Sequence, residues 1–296
     1  MLDLRRLRLL HDLSRLGTIA AVAEAHTYTA SAVSQQLSAL ERDAGVALLE
    51  RTGRRVTLTA AGRLLVRHAE TVLTAVERAT AALATVRGGL SGPLRIGAFP
   101  TAVRALLSPA LVALGRDHPR LELMVTEVDP VGVPERLQDR RLDVGLTQDY
   151  DVAPEIRDPA IESTPLVTET VFLAVPASSE IQTVDDTRDE PWIVASPGTL
   201  CYVVAQHVCR AGGFAPRVRH QADDFVTVLS LVGAGQGVSL VPQLAATTTP
   251  PGVRLLELPV RRRTRIAYRR GGGEHPAVAA FVAAMSASAA DVMGNR

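Results

Sequence analysis

The sequence predicts an α/β protein in three parts: an N-terminal all-α head with a two-stranded wing at 1–58, a long linker helix at 59–89, and an α/β domain at 91–296. Three observations predict it. Apolar residues recur at helical spacing up to Leu40, one unbroken helical pattern runs from Thr59 to Val86, and from Ser91 short apolar runs alternate with helical ones. A chain of 296 residues is also longer than one ordinary core supports. Hydrophobic residues at 47% and charged residues at 21% exclude the disordered and fibrous classes.

The head begins with Leu4, Leu7, Leu10 and His11 at helical spacing, stopped by Gly17. Thr18 is an N-cap for a second short helix through Ile19, Val22 and Ala23, and the small residues Ala20, Ala21 and Ala23 permit a close helix crossing. A turn through His26, Thr27 and Tyr28 leads to a second N-cap, Thr29, and to a third helix with the stripe Val33, Leu37 and Leu40. The opposite face carries Ser31, Ser34, Gln35 and Ser38 without a charge. Short hydroxyls and an amide suit close approach to phosphates and base edges, and Gln35 can bond adenine in the major groove. After Gly45, residues 46–58 read as two strands turning at Gly53, with Arg51, Arg54 and Arg55 placed for phosphates or the minor groove. The DNA-contact set is therefore Thr29, Ser31, Ser34, Gln35, Ser38, Arg51, Arg54 and Arg55. Charge agrees: up to Leu90 there are 12 Arg against 8 acidic residues, a net of +4, whereas the remainder has 20 against 23, a net of −3.

At this point the chain resembles the LysR-type transcriptional regulators. The motifs are Gly17-Thr-Ile-Ala-Ala-Val-Ala-Glu24, Ser31-Ala-Val-Ser-Gln-Gln-Leu37, Leu40-Glu-Arg-Asp-Ala-Gly45 and Leu49-Glu-Arg-Thr-Gly-Arg-Arg-Val-Thr-Leu-Thr-Ala-Ala-Gly62. They stand in the family's order and spacing. Ala30 stands where the family often has Gln, and His26 where an apolar Leu is common. The resemblance implies a winged helix-turn-helix that binds DNA and a regulator that answers to a small molecule.

From Thr59 to Val86 a helix at ~1.5 Å per residue would extend roughly 40 Å, ended by Gly88 and Gly89. Leu65, Ala69, Val72, Val76, Ala79, Leu83 and Val86 alternate four and three apart, the seam of a coiled coil. A partner helix is expected. The resemblance implies dimers through this helix, tetramers made of two such dimers, and an inverted-repeat site on double-stranded DNA.

Beyond Ser91, strands are expected at 93–97, 121–127, 144–147, 171–175, 192–195 and 239–241, largely parallel, with a helix near 103–116. The resemblance continues through Leu142-Asp-Val-Gly-Leu146 and Leu231-Val-Gly-Ala-Gly-Gln-Gly-Val-Ser-Leu-Val-Pro242. It implies two lobes like those of periplasmic binding proteins, lobe 1 at about 91–164 and 265–296 and lobe 2 at about 165–264, with a small effector between them. Ligands in such sheets sit beyond the carboxyl ends of strands, at helix N-termini. That selects Phe99, Pro100, Thr101, Asp129, Thr147, Ser196, Thr199 and Tyr202, with the hydroxyls of Thr101, Ser196 and Thr199 suited to a carboxylate. Taken singly, each hydroxyl fits capping or turn formation better than binding, and only their convergence makes them a site. Asp223 and Asp224 are expected to cap the next helix, with attraction of a cationic group as the alternative.

Other functions lack their signatures. Gly233-Ala-Gly-Gln-Gly237 follows a helix and precedes a strand, the reverse of a dinucleotide loop. No nucleophile elbow, zinc-protease helix or Walker loop occurs, and the seven His are scattered, so neither an enzyme nor a bound metal or cofactor is expected. A purely architectural DNA binder would give the α/β domain no task. Cys201 and Cys209 lie eight apart in one helical stretch, roughly 12 Å between Cα atoms at ~1.5 Å per residue. A disulfide spans about 7 Å at most, so buried thiols are expected. Arg5, Arg6, Arg8 and Arg15 interrupt the apolar start, and no stretch of roughly 20 apolar residues for a membrane span is read, so a cytoplasmic protein is expected. Its expected partners are DNA, a second copy of itself, a small organic effector and RNA polymerase, with no membrane.

Overall fold

The computed structural model describes residues 1–52, 55–86, 90–153 and 158–294. The chain divides into two compact units, Met1–Gly88 with Arg269–His275, and Gly89–Tyr268 with Pro276–Arg296. The grouping of Arg269–His275 differs from the sequence reading, which kept 265–296 together. Gly271 explains it: its φ is +80°, and an added Cβ would stand 2.9 Å from the carbonyl oxygen of Thr74.

In the first unit, α1 (Leu4–Leu16) starts at Asp3, whose carboxylate accepts from the amides of Arg5 and Arg6, and ends at Gly17 with φ 75°. Thr18 caps α2 (Ile19–Ala25) through the Ala21 amide, and Thr29 caps α3 (Ala30–Ala44) through the Ala32 amide. These caps are the ones the sequence indicates, because each short hydroxyl precedes an apolar stripe. Leu7, Leu10, Leu13, Val22, Val33, Leu37 and Leu40 close one small core. Strands β1 (Leu49–Thr52) and β2 (Arg55–Leu58) pair antiparallel, Leu49 opposite Leu58.

Helix α4 spans Ala60–Val86, and the hydroxyl of Thr59 accepts from the Gly62 amide in its first turn. Only glycine fits at 62, since an added Cβ would meet the Leu48 carbonyl oxygen at 2.1 Å. The expected seam divides along its length. Leu65 and Ala69 pack into the head's own core, whereas Val72 is 42% and Leu83 66% exposed. The early seam positions are therefore structural within one chain, because α1 packs beside them.

The second unit holds a six-stranded sheet in the order β4-β3-β5-β10-β6-β9 and a two-stranded sheet β7-β8. The strands are β3 (Gly92–Ala98), β4 (Leu121–Glu127), β5 (Val144–Tyr150), β6 (Ile161–Pro176), β7 (Pro191–Val194), β8 (Arg217–Gln221), β9 (Ser239–Pro242) and β10 (Val253–Arg269). β3 runs parallel to β4 and β5, and β7 to β8, but β10 is antiparallel to β5 and β6 to β9. The sheet is thus mixed rather than largely parallel. β6 and β10, of 16 and 17 residues, are the reason: they cross between lobes, and the chain returns along them.

Lobe 1 packs β3, β5, the run α5 (Pro100–Ala102), π-turn Val103–Leu107 and α6 (Ser108–Asp117), and α10 (Pro276–Gly294) around Ile96, Leu106, Leu146, Ile266 and Phe281. The short helix α7 (Val133–Gln138) covers the other face of the sheet through Val133 and Leu137. Lobe 2 packs α8 (Leu200–Ala211) and α9 (Phe225–Gly233) on either side of β7 and β9, around Trp192, Val194 and Leu173 and around Ile193, Val228 and Val241. α10 is long and apolar enough by length and composition to cross a bilayer, with a mean hydropathy of 1.6 over an 18-residue window. Its Phe281 and Met285 are nevertheless fully buried in lobe 1, and the Ser288 hydroxyl donates to the Leu106 carbonyl, so one face of it packs into the lobe 1 core.

Candidate DNA-binding and effector sites

On α3 the stripe Val33, Leu37 and Leu40 is buried, which turns Ser31, Gln35 and Ser38 outward as exposed residues, with Ser34 half-buried at their edge. Thr29 caps the helix, and its Oγ1 lies 3.0 Å from the Ser31 hydroxyl. The neighbouring Gln36 is already engaged, accepting from Arg6 Nε at 3.0 Å, and Arg6 Nη1 reaches Asp43 at 2.7 Å, so α1 fixes the rotation of α3. Arg51 and Arg55 belong to β1 and β2, but their side chains, and the whole of Arg54, lie outside the described residues.

Sequence reasoning missed what ties the wing to α3. Glu41 Oε1 accepts from the amides of both Leu48 and Leu49 at 3.0 Å, and the Thr59 hydroxyl donates to the Ala47 carbonyl at 2.8 Å. A carboxylate holding two backbone amides is a strong, directional tie. Its position inside Leu40-Glu-Arg-Asp, where it reads as an ordinary surface charge, hid it.

A largely buried polar cluster joins α1 to the end of α2. Asp12 on α1 meets His26 Nε2 at 2.7 Å and His11 Nδ1 at 3.2 Å, while His11 Nε2 lies 3.8 Å from Glu70 of α4. Burial alone would raise the Asp12 pKa, but hydrogen bonds and attraction from the two His outweigh it and hold the group at about 2. His26 also ends α2, so the polar residue found where a Leu is common joins the helix-turn-helix to α1.

In the second unit, β5, β10 and β6 pass side by side from one lobe to the other. Their inward positions read Leu146, Gln148, Tyr150 on β5; Ile266, Thr264, Arg262, Val260 on β10; and Val167, Glu169, Val171 on β6. Each row is apolar in lobe 1, polar at the crossing and apolar or aromatic in lobe 2. Glu169 and Arg262 are both 0% exposed. Arg262 Nε donates to Glu169 Oε1 at 2.8 Å, while Nη2, 2.7 Å from the same oxygen, is too poorly aligned to bond it. Glu169 Oε2 accepts from the Leu244 amide, and Arg262 Nη1 donates to Gln148. The Gln148 amide and the Tyr150 hydroxyl reach Cys201 Sγ at 3.7 and 3.4 Å. Burial costs the Arg262 cation, yet Glu169 beside it raises its pKa, and burial pushes the Tyr150 hydroxyl well up.

The expected effector residues distribute around this floor. Phe99 is buried and its ring covers Arg262, 5.3 Å from Cζ to centroid, so it serves as a lid on the ion pair. Thr101 is buried and Pro100 half-buried at the same strand end. Thr147 lies on the face opposite Gln148, because strand residues alternate; the residue aimed at the floor is one position on. Asp129 is exposed and caps a single turn through the Val131 amide. Ser196 and Thr199 are already committed. The Ser196 amide and hydroxyl both donate to Asp223 at 2.7 Å, and the Thr199 hydroxyl donates to the Ser196 carbonyl while accepting from the Tyr202 amide. Tyr202 is half-buried on α8. Asp224 caps α9 through the Thr227 amide, as expected, but Asp223 does not; it puts a carboxylate beside the α8 N-terminus. That charge corrects the idea of a carboxylate held at Ser196 and Thr199. The thiols stay unpaired on α8, Cys209 buried with its pKa pushed up to about 12 by burial.

An outward polar helix held by a wing, followed by a two-lobed α/β domain with a polar crossing, defines a DNA-binding regulator with a sensor domain. Residues 4–63 match the bacterial regulatory helix-turn-helix protein model of the lysR family, and residues 87–290 match the LysR substrate binding domain. The chain belongs to the LysR family. It is a sequence-specific DNA-binding transcriptional regulator whose C-terminal domain binds a small-molecule effector. Transcriptional dual regulator GltC of Bacillus subtilis is 27% identical over 277 residues, 89% of each chain. The hydrogen peroxide-inducible genes activator of Dickeya chrysanthemi is 32% identical over 219 residues, covering 72% of this chain and 70% of that protein. Among solved structures, a peroxide-bound mutant of Corynebacterium glutamicum OxyR has the same fold with a TM-score of 0.61, 24% identity, and coverage of 99% and 94%.

Proposed function

We propose that the regulator is a cytoplasmic dimer, joined through the exposed stretch of α4, that reads an inverted repeat with one α3 in each half-site. It acts through binding rather than catalysis, requires no cofactor, and passes its state to RNA polymerase. A pair of such dimers would form the tetramer. The observation carrying this reading is the exposed, uncharged face Ser31, Gln35 and Ser38 on a helix whose other side is locked into the head. Thr29 and Ser34 at its edges, with Arg51, Arg54 and Arg55 on the wing, supply phosphate contacts. Gln35→Ala should weaken the cognate complex by about 1–3 kcal/mol and leave binding to scrambled duplex nearly unchanged at the same salt concentration. Equal losses on both duplexes would remove Gln35 from base reading.

The effector in this proposal is a small organic molecule in the cleft above the Gln148, Thr264 and Arg262 floor, bounded by Thr101 and Tyr202. The commitment of Ser196 to Asp223 favours a neutral or mixed-charge ligand over a simple carboxylate. A thermal-shift screen of metabolites tests it: at a hundredfold excess over Kd, a ligand adds about 2.7 kcal/mol of stability.

A second reading is favoured by Cys201, a half-buried thiol in contact with Tyr150 and Gln148, and by the relative named for peroxide induction. In it the signal is an oxidant: the Cys201 thiol reacts with peroxide to give a sulfenic acid and water. Cys209 would take no part, since its pKa of about 12 leaves almost no thiolate. Dimedone trapping followed by peptide mass analysis should then label Cys201 alone; an unlabelled Cys201 removes this reading.

A further inference from the structure

The lobes of the second unit meet again away from the crossing strands. Arg104 stands in the π-turn behind Thr101, beside the lobe 1 core residues Leu106 and Leu107. Its Nη2 donates to Asp224 Oδ1 at 2.7 Å, a residue 120 positions further along at the start of α9 in lobe 2. The other Asp224 oxygen accepts from the Thr227 amide. One oxygen is thus spent on the helix, and this fixes the direction in which the other faces lobe 1. The adjacent Asp223 holds Ser196 through its amide and hydroxyl, which ties the loop before α8 to the start of α9. Side-chain exposures of 50% and 39% leave the pair open to water and salt.

We propose that Arg104 and Asp224 form an interlobe latch that biases the effector cleft toward its closed state. The proposal rests on the reading of that cleft as the effector site and adds how the site is regulated. A half-exposed ion pair shifts an equilibrium by up to about fivefold, far short of a lock. That size suits a sensor. A latch holding the closed state 99:1 would demand a ligand with a ~10⁴-fold preference for the open form to reverse it, whereas a fivefold bias yields to an ordinary metabolite. Continuous strands supply the hinge, and the latch sets the resting position about it.

Two thiols report on it without any effector. Cys201 lies at the lobe 2 edge of the crossing, against Gln148, while Cys209 is buried in the lobe 2 core. Alkylation of the reduced full-length protein by iodoacetamide, followed residue by residue with mass spectrometry, should be about two- to fivefold faster at Cys201 in Arg104→Gln and in Asp224→Asn, which keeps a helix cap. Arg104→Lys should stay near the parent, and the double variant Arg104→Gln/Asp224→Asn should match the singles rather than multiply them. Salt near 1 M, where the Debye length is ~3 Å, should speed the parent and leave the variants unchanged. Unchanged Cys201 rates, multiplicative effects in the double variant, or a parallel rise at Cys209 that signals unfolding would each overturn the latch. A metabolite that binds while Cys201 rates stay flat would keep the effector reading and remove only the latch; the converse pattern would remove only the effector.

Discussion

Asp12 shows how one side chain couples two helices, α1 and α2. Its carboxyl titrates at about 2 in the folded head against an ordinary 3.8, so its ionised form is preferred in the native state. The contribution is complete above about pH 3.8 and is lost as the pH falls toward 2, with a size of about 2 kcal/mol from that difference. Asp12→Asn should therefore destabilise the head by about that amount at neutral pH, read by hydrogen exchange of α1 amides, and the gap from the parent should narrow between about pH 4 and 2. A gap constant across that window would place the stabilisation elsewhere. At this scale the sequence was informative wherever a side chain acts on its own segment. Thr18, Thr29 and Asp224 cap the helices they precede. It was silent where the partner is distant: nothing in Leu10-His-Asp-Leu13 names His26, and nothing in Leu40-Glu-Arg-Asp43 names Leu48.

Helix α4 combines two tasks along one stripe. Leu65 and Ala69 complete the head, so substitutions there would unfold it, whereas Val72 and Leu83 remain exposed and can be altered without that penalty. Val72→Asp with Leu83→Asp should leave the full-length protein's head folded and lower its association state in sedimentation equilibrium, because two carboxylates in an apolar seam are costly. A double variant as strongly associated as the parent would move the interface away from α4. Periodicity made this helix legible over its whole length, but it could not separate seam from core, since both use the same spacing. The strands tell the reverse story. β10 is absent from the expected strands, because three consecutive Arg at 261–263 break the apolar run; Arg262 points inward and its neighbours outward. The signal was present in Val260-x-Arg262-x-Thr264-x-Ile266 and Val167-x-Glu169-x-Val171, two alternating strands each carrying one unexpected charge at an inward position.

For the molecule as a whole, the Glu169–Arg262 pair lies where the two lobe cores would otherwise merge. Removing one partner strands a charge with no exposure, so Glu169→Ala should cost about 3–5 kcal/mol. The double replacement Glu169→Leu/Arg262→Met should cost less than either single change, because no charge is then left unpaired. Thermal denaturation of the three variants checks this; a double variant equal to the sum of the singles would mean that the two residues do not act as a pair.

The position of β10 in the sheet has a consequence for how the protein is made. β10 lies between β5 and β6 in space but comes nearly last along the chain, ending at Arg269. A ribosome has already released the residues of the head, up to Val86, when most of the sheet's centre is still untranslated. At roughly 5–20 residues per second the delay is on the order of ten to forty seconds. During that interval the nascent polypeptide can own a folded reading head while β5 and β6 wait with unpaired edges, the condition in which chaperones bind.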